Sequence, residues 1–211
     1  MTYSDTTHIP QGSDEWLMAR CGKVTASKVA EVIAMTKTGP SERRTKYMWQ
    51  LVSERLTGDF TRTFTNDAML HGIENEPIAR EFYEALNDLS VEQVGLYIHP
   101  RFDFAAASPD GLVGEDGLIE IKCLTTVNHL RSIYENQPPK DYLPQVHWQM
   151  ACTGRKWCDL TLFDPRVPLE MQLHTFRIHR DDSEIERIED AVLAFNNEIE
   201  AVITNLRSIK Q

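Results

Sequence analysis

The sequence lacks long apolar runs and paired cysteines, and both absences exclude classes of protein. No apolar run approaches the roughly 18 residues that a membrane-spanning helix needs. The four cysteines include no CxxC pair, which argues against a disulfide framework, a structural zinc and an iron–sulfur cluster. Residues 1–11 also lack the basic and then apolar layout of a secretory signal. We therefore expect a protein of the reducing cytoplasm that does not contact a membrane.

Positive charge is scarce overall, but it is unevenly distributed. The chain has 22 lysines and arginines against 32 aspartates and glutamates, which gives a net charge of −10. Residues 20–62 hold nine basic and four acidic residues, a balance of +5. Residues 181–211 hold eight acidic and three basic residues, a balance of −5. This distribution fits a basic face on an otherwise acidic protein, and it fits an ordinary solvated helix surface equally well.

The composition supports one folded domain over residues 1–211. Hydrophobic residues make up 41% of the 211 residues and aromatic residues 9%, which excludes a disordered linker protein. The length suits a single domain with a sizeable core. No internal repeat and no linker composition divides the chain.

Apolar spacing predicts helices in the first ninety residues and a mixture of strands and helices after them. Ser13, Ser27, Ser41 and Ser183 stand where helix N-caps are expected, and Gly58 stands where a helix ends. The other predicted helices are about 67–86, 126–135 and 142–153, and the predicted strands are 91–98, 102–107, 117–124, 157–163 and 171–178. This order predicts an α/β fold with a mixed central β-sheet flanked by helices.

Three charged residues in the middle of the chain are the main candidates for chemistry. Glu120 and Lys122 face the same side of the predicted strand 117–124, because side chains alternate along a strand. The Asp116-Gly117 step predicts a tight turn. The resulting hairpin would place Gly111 opposite Glu120 and bring Asp110 close to it.

Two converging carboxylates beside a lysine fit a site for Mg²⁺. Such a site can polarise a phosphodiester, while the lysine positions or activates the attacking water. The alternative is a buried ion pair of Lys122 with Glu120 or Asp110. For an isolated ExK sequence, that structural alternative is the commoner explanation.

Five segments in a fixed order carry a resemblance to one nuclease family. Pro109-Asp110, ten residues before Glu120-x-Lys122, resembles the PD-(D/E)xK nuclease signature. The full set is similar to the lambda-exonuclease or YqaJ-type viral recombinase nucleases, over about residues 16–164. The matching segments are Trp16-Leu17-Met18-Ala19-Arg20 with Val24-Thr25-Ala26-Ser27, Gly72-Ile73-Glu74-Asn75-Glu76, Ser108-Pro109-Asp110-Gly111, Glu120-Ile121-Lys122 and Tyr142-Leu143-Pro144-Gln145.

The resemblance implies a metal site in the catalytic strand. Asp110 and Glu120 would be direct metal ligands, joined by the backbone carbonyl of Ile121. Lys122 would orient or deprotonate the nucleophilic water. The metal implied is Mg²⁺, with Mn²⁺ as an alternative, and the family pattern implies two ions in each site.

The resemblance also assigns residues outside that strand. Glu76 would approach the second metal ion through water, and Gln145 would help to hold the water and Lys122. Arg20, Ser27 and Ser108 match the positions that grip a 5′-terminal phosphate in this family. A helix N-terminus at Ser27 and a bidentate arginine would both favour such an anion.

The function implied is a 5′–3′ exonuclease that degrades one strand of linear double-stranded DNA. It would have a restriction-endonuclease-like core and leave a 3′ single-stranded overhang for recombination by strand annealing. The implied partners are DNA ends, a single-strand annealing protein and two further copies in a ring-shaped homotrimer. If a phage or prophage encodes the chain, the host cytoplasm is the expected location. The alternatives are a structure-specific or restriction-type endonuclease of the same fold, and a catalytically inactive DNA-binding scaffold.

Four residues near Glu76 complicate this picture. Pro77 should kink or interrupt the helix 67–86 and so change the reach of Glu76. His71 stands where the family more usually has a bulky aromatic residue. Met69 and Leu70 fit an apolar wedge that splits the terminal base pair, and they fit a place in the core about equally well.

Overall fold

The computed structural model describes residues 5–37, 39–61 and 66–209. Arg62 of the predicted basic segment and Lys210 of the predicted acidic segment lie outside the described residues. Within those ranges, no helix combines the length and the apolar character needed to cross a membrane.

Seven α-helices lie in the described ranges. Ser13 and Ser41 cap the first and third helix as predicted, because each hydroxyl oxygen accepts a backbone N–H of the first turn. Gly58 ends the third helix in the left-handed conformation, with φ of 74°. The helices are α1 (Asp14–Arg20), α2 (Val29–Val32), α3 (Glu42–Thr57), α4 (Asp67–Asn87), α5 (Thr126–Glu135), α6 (Leu143–Thr153) and α7 (Asp182–Ser208).

Short strands form three sheets in the same ranges. The strands are β1 (Val24–Thr25), β2 (Met35–Thr36), β3 (Gly39–Pro40), β4 (Val91–Glu92), β5 (Tyr97–Ile98), β6 (Ala105–Ala107), β7 (Gly111–Val113), β8 (Gly117–Lys122), β9 (Trp157–Phe163) and β10 (Leu173–His179). The main sheet has the order β10-β9-β8-β7-β4, and only its β8–β9 pair is parallel. The mixed central sheet is therefore confirmed.

Helices cover both faces of the central strand β8. On one face Leu118 packs with Val146 and Met150 of α6. On the other face Ile119 packs with Ala79 and other residues of α4. A larger apolar cluster joins α2, α3, α6 and α7 to the small sheet β1-β6-β5. These layers enclose β8 on both faces.

Several local predictions were wrong for identifiable reasons. The helix 67–86 is not interrupted: α4 runs through Pro77. Ser27 is not an N-cap, because it lies inside a 3₁₀ turn (Ala26–Lys28). Asp181 takes the place predicted for Ser183, since its carboxylate accepts the N–H groups of Ser183 and Glu184. The predicted strand 91–98 is divided between two sheets, because backbone carbonyls of residues 6 and 7 accept the N–H groups of residues 95 and 96.

Candidate active site

The β7–β8 hairpin brings the two central carboxylates together with a register one residue from that predicted. Gly111 pairs with Ile119 rather than with Glu120, because the connecting loop is three residues long and Val113 pairs with Gly117. A Cβ at Gly111 would lie 2.1 Å from Cγ1 of Val91, so any larger residue there would force Val91 to shift. Asp110 therefore stands just beyond the end of the β7–β8 ladder.

The last residues of β8 extend beyond the end of β7, and the Asp110 side chain takes the place of a strand partner there. Its Oδ2 accepts the backbone N–H of Ile121 at 2.6 Å. The N–H and C=O groups of one strand residue point to the same edge. The Ile121 carbonyl therefore faces the edge that Asp110 occupies.

Glu120 is the most enclosed of the charged site residues. Its side chain is only 2% exposed. Its Oε1 accepts hydrogen bonds from Lys122 Nζ and Gln145 Nε2, both at 2.5 Å. Its Oε2 accepts one from Gln149 Nε2 at 2.5 Å. Three donors thus stabilise the charge of this buried carboxylate.

Lys122 is held between Glu120 and an aromatic ring. Its ammonium lies 4.9 Å from the ring centroid of Tyr142, a distance typical of a cation–π contact. Burial acts to lower the pKa of Lys122, but the charges of Glu120 and Asp110 outweigh it and raise the pKa above its usual value. Lys122 is therefore a protonated donor, and the ion pair considered as the structural alternative is present.

Glu76 reaches the same region from α4. Arg80, one turn later, donates to Glu76 Oε1 at 3.4 Å and to the backbone carbonyl of Asp110 at 3.3 Å. Burial raises the pKa of Glu76, Arg80 opposes that shift and Glu120 adds to it. Continuity of α4 through Pro77 thus preserves the predicted position of Glu76 beside the carboxylates.

The carboxylates repel one another in this enclosed setting. Burial, followed by the charges of Glu120 and Glu76, raises the pKa of Asp110 well above its usual value. Lys122 and the Ile121 N–H act in the opposite direction but do not cancel the shift. A cation between these groups would relieve the repulsion.

The donor set fits an open site for a hard cation. In the described ranges, no three His, Cys, Asp or Glu side chains form a group that could hold a metal ion by themselves. Asp110, Glu120 and the Ile121 carbonyl instead offer only oxygen donors. Mg²⁺ is commonly bound in this way, through one or two carboxylates, with water and substrate phosphate oxygens filling the remaining positions.

A groove of about 990 Å³ opens beside the carboxylates and is lined by Glu76, Asp110, Arg20 and Ser27, among others. The guanidinium of Arg20 lies 4.0 Å from the ring centroid of Trp16. Its buried Nε has no hydrogen-bond partner in the described residues, and burial lowers the pKa of Arg20. The same groove is thus lined by Arg20, whose buried Nε lacks a hydrogen-bond partner in the described residues, and by the acidic residues Glu76 and Asp110.

The two predicted serine contacts differ in their placement. Ser27 is exposed and lines the groove, although the helix N-terminus expected at this residue is absent. Ser108 is half-buried, and its Oγ accepts the indole N–H of Trp16 at 2.9 Å. Because the Arg20 guanidinium also lies over the Trp16 ring, this one indole contacts both Arg20 and Ser108.

The apolar pair at the start of α4 lies at the surface. Met69 is 45% exposed and Leu70 is 47% exposed, so the core alternative is wrong for both. Met69 lines the groove, as does Ile73 one turn later, which is 65% exposed. Ile73 had no role assigned from the sequence, although its i+4 spacing from Met69 places both side chains on one face of α4.

Gln149 and Trp16 are further site residues that had no role assigned from the sequence. Trp16 was part of a matching segment, but it had no assigned contact. Gln149 follows Gln145 by four residues, so the helical period was the signal that could have placed both amides on one face of α6. Gln145 itself contacts Glu120 directly, which differs from the role predicted beside Lys122.

Comparison with known proteins identifies a family and similar solved structures. The model of the YqaJ-like viral recombinase domain family matches residues 15–156. Alkaline exonuclease LHK-Exo from Laribacter hongkongensis is 47% identical, with a TM-score of 0.84, over 92% of this chain and 96% of that chain. Its complex with dAMP, also 47% identical over the same shares of the two chains, gives a TM-score of 0.86. These matches confirm the restriction-endonuclease-like fold.

More distant relatives have the same fold or share part of the sequence. A phage-related exonuclease from Haemophilus somnus 129PT is 16% identical, with a TM-score of 0.66, over 87% of this chain and 96% of that chain. Protein R354 of Acanthamoeba polyphaga mimivirus is 27% identical over 162 residues, which is 71% of this chain. The chain spans 28% of the length of that viral protein.

Proposed function

The chain belongs to the YqaJ-like viral recombinase domain family and is a nuclease, and we propose that it is a Mg²⁺-dependent 5′–3′ exonuclease acting on linear double-stranded DNA. It would remove one strand and leave a 3′ single-stranded overhang for recombination by strand annealing. One observation carries the proposal. Asp110 accepts the backbone N–H of Ile121, the residue that follows Glu120, beside a groove. The same groove is lined by Arg20, whose buried Nε has no hydrogen-bond partner in the described residues.

Each residue of the site has a defined task in this proposal. Asp110, Glu120 and the Ile121 carbonyl would hold Mg²⁺, with Mn²⁺ as an alternative, and Glu76 would face a second ion through water. Bound Mg²⁺ supplies Lewis-acid stabilisation of the charge that develops on the phosphate and the leaving oxygen. Lys122 donates from its protonated ammonium and so positions the attacking water.

Selection of a 5′ end is assigned to the groove-lining residues Arg20 and Ser27, together with Ser108. Arg20 can direct its guanidinium to a terminal phosphate, and the Ser27 hydroxyl is exposed in the same groove. Ser108 would complete the contact from its position next to Trp16. Charge-assisted hydrogen bonds to a phosphate are the strong class, so this end should be preferred over a hydroxyl end.

A duplex with one phosphorylated 5′ end and one hydroxyl 5′ end tests this assignment. In Mg²⁺ we expect the phosphorylated strand to be removed from its 5′ end while its complement stays long. Arg20→Ala should narrow the difference in rate between the two ends by about 10–100-fold, because each charged hydrogen bond contributes about 1.5–3 kcal/mol. Lys23→Ala, which removes another groove-lining cation, is the matched control.

Equal initiation at the two ends by the parental protein would contradict the phosphate assignment. Removal from a 3′ end would contradict the polarity. Digestion of covalently closed circles would instead favour the endonuclease alternative.

Met69 and Leu70 are proposed as the strand-separating wedge. Both are exposed near the groove, and Met69 lines it directly. An apolar side chain inserted at a base step can unstack it. Ile73 extends the same apolar face by one helical turn.

We further propose that three copies form a ring around the DNA. A chain with a net charge of −10 attracts DNA weakly at long range. A closed ring would retain a threaded duplex by topology, with the basic segment of each copy facing the channel. Sedimentation equilibrium should therefore give about three times the chain mass of 24.2 kDa. One or two chain masses together with unimpaired processive digestion would contradict the ring.

The remaining partner is proposed from the family alone. A single-strand annealing protein would load on the exposed 3′ strand, and the acidic α7 is a candidate contact surface. The host cytoplasm is the proposed location if a phage or prophage encodes the chain.

A further inference from the structure

Two glutamines on successive turns of α6 hold the two oxygens of one catalytic-site carboxylate. Gln145 donates to Glu120 Oε1, and Gln149 donates to Glu120 Oε2, both at 2.5 Å. The four-residue spacing places both amides on the same face of the helix. Gln149 is fully buried, with no exposed side-chain area. The plane of the Glu120 carboxylate is thus fixed from α6 at both oxygens.

The two oxygens of Glu120 differ in their remaining capacity to accept. A carboxylate has about four lone-pair positions, two on each oxygen. Lys122 and Gln145 occupy both positions on Oε1. Gln149 occupies one position on Oε2, which leaves the other for a further ligand. Oε2 is therefore the oxygen available to a cation, and its direction depends on Gln149.

Packing does not account for Gln149. Its Oε1 is buried with no hydrogen-bond partner in the described residues, and leaving a buried carbonyl unsatisfied is unfavourable. Reversing the amide would place its oxygen against Glu120 Oε2, so the observed orientation is imposed by the carboxylate. An apolar residue of the same size would avoid this unsatisfied carbonyl. The presence of an amide at this position is therefore explained by its hydrogen bond to Glu120.

We infer that Gln149 is a positioning residue that aims Glu120 Oε2 at the divalent cation. The inference rests on the proposed function, in which Glu120 is a metal ligand. It assigns metal affinity, rather than fold stability or DNA binding, as the property that Gln149 controls. Groups that orient a metal ligand commonly change metal affinity by about 10–100-fold when they are replaced.

Direct titration of the full chain with Mn²⁺ or Mg²⁺ by calorimetry tests this role without DNA. We expect Gln149→Met, which keeps the length and removes the amide, to weaken metal binding by about 10–100-fold. Met150→Leu, a volume-conserving change at the next buried position of α6, should leave metal binding unchanged. DNA binding in EDTA should be the same for all three proteins. Raising the Mg²⁺ concentration should restore most of the turnover of Gln149→Met.

The outcomes separate this inference from the proposed function. If the parental protein binds neither ion, the metal-dependent function itself fails. If the parental protein binds metal and folded Gln149→Met binds it equally well, the positioning role is wrong. Should Gln149→Met not fold, Gln149→Asn retains an amide that is one methylene short of Glu120. We expect the same weakening from that variant, and parental affinity would overturn the inference.

Discussion

Asp110→Asn is expected to reduce Mg²⁺-dependent hydrolysis of linear duplex by about 1,000-fold while DNA binding remains. Asp110 is assigned a direct metal contact, and loss of one group that stabilises transition-state charge costs about 10²–10³ in rate. The substitution also removes a negative charge near the phosphates, so binding of DNA should be equal or tighter. The measurement is single-turnover release of nucleotides from an end-labelled duplex, with binding followed separately in EDTA.

Asp116→Asn is the matched control for this change. Asp116 lies in the loop of the same hairpin, where it pairs with Lys156 at 2.9 Å, and both side chains are largely exposed. Exposed ion pairs contribute little, so this variant should cleave at the parental rate. Near-parental cleavage by folded Asp110→Asn would show that the metal site has been assigned wrongly.

Lys122→Met should lower the rate by about 10²–10⁴-fold, the range for loss of a positioned proton-transfer or water-orienting group. Methionine keeps much of the length and apolar stem of lysine. It cannot donate to Glu120 or to the attacking water. The loss should persist at saturating Mg²⁺, in contrast to Gln149→Met, because the missing group acts on the water rather than on metal affinity. Single-turnover rates over a range of Mg²⁺ concentrations measure both properties.

Lys156→Met provides the corresponding surface control, because it removes the other half of the exposed pair with Asp116. Parental rates are expected from it. Thermal unfolding must accompany the Lys122 experiment, since removing one partner of a buried ion pair also destabilises a protein by about 3–5 kcal/mol. If a folded Lys122→Met variant kept the parental turnover, the Lys122–Glu120 contact would be only a structural ion pair, and the role proposed for Lys122 would be wrong.

Sequence patterns predicted those parts of the fold that depend on local physics. The hydroxyls of Ser13 and Ser41 cap their helices because a cap needs only a nearby backbone N–H. The helix 126–135 and the strand 157–163 were predicted with the bounds the structure has. Alternation along 117–122 placed Glu120 and Lys122 on one face, and their contact confirms it.

Features that depend on distant parts of the chain were not predictable in the same way. The strand 91–98 was expected to be continuous, but residues 6 and 7 take backbone hydrogen bonds from residues 95 and 96, nearly ninety positions away. The hairpin register differed by one residue because loop length, not side-chain pattern, sets it. α4 continues through Pro77 although local propensity disfavours it.

The same distinction applies to the site. The ExK pattern identified Glu120 and Lys122, but that pattern alone indicates a structural ion pair more often than a metal site. Their contact with each other is compatible with both, whereas the convergence of Asp110 and Glu76 is a tertiary property. Gln149 required knowledge of which face of α6 meets β8. The sequence predicts the helical period of α6, whereas the contact with Glu120 shows which face of that helix packs against β8.

Digestion of linear and covalently closed duplex by the parental protein, in Mg²⁺ and in EDTA, tests the central claim most directly. The claim is that a divalent cation held by Asp110 and Glu120 drives hydrolysis from a DNA end. We expect release of nucleotides from the linear duplex in Mg²⁺ only, and none from the closed circle under either condition. Release in EDTA, or equal digestion of linear and closed duplex in Mg²⁺, would contradict it.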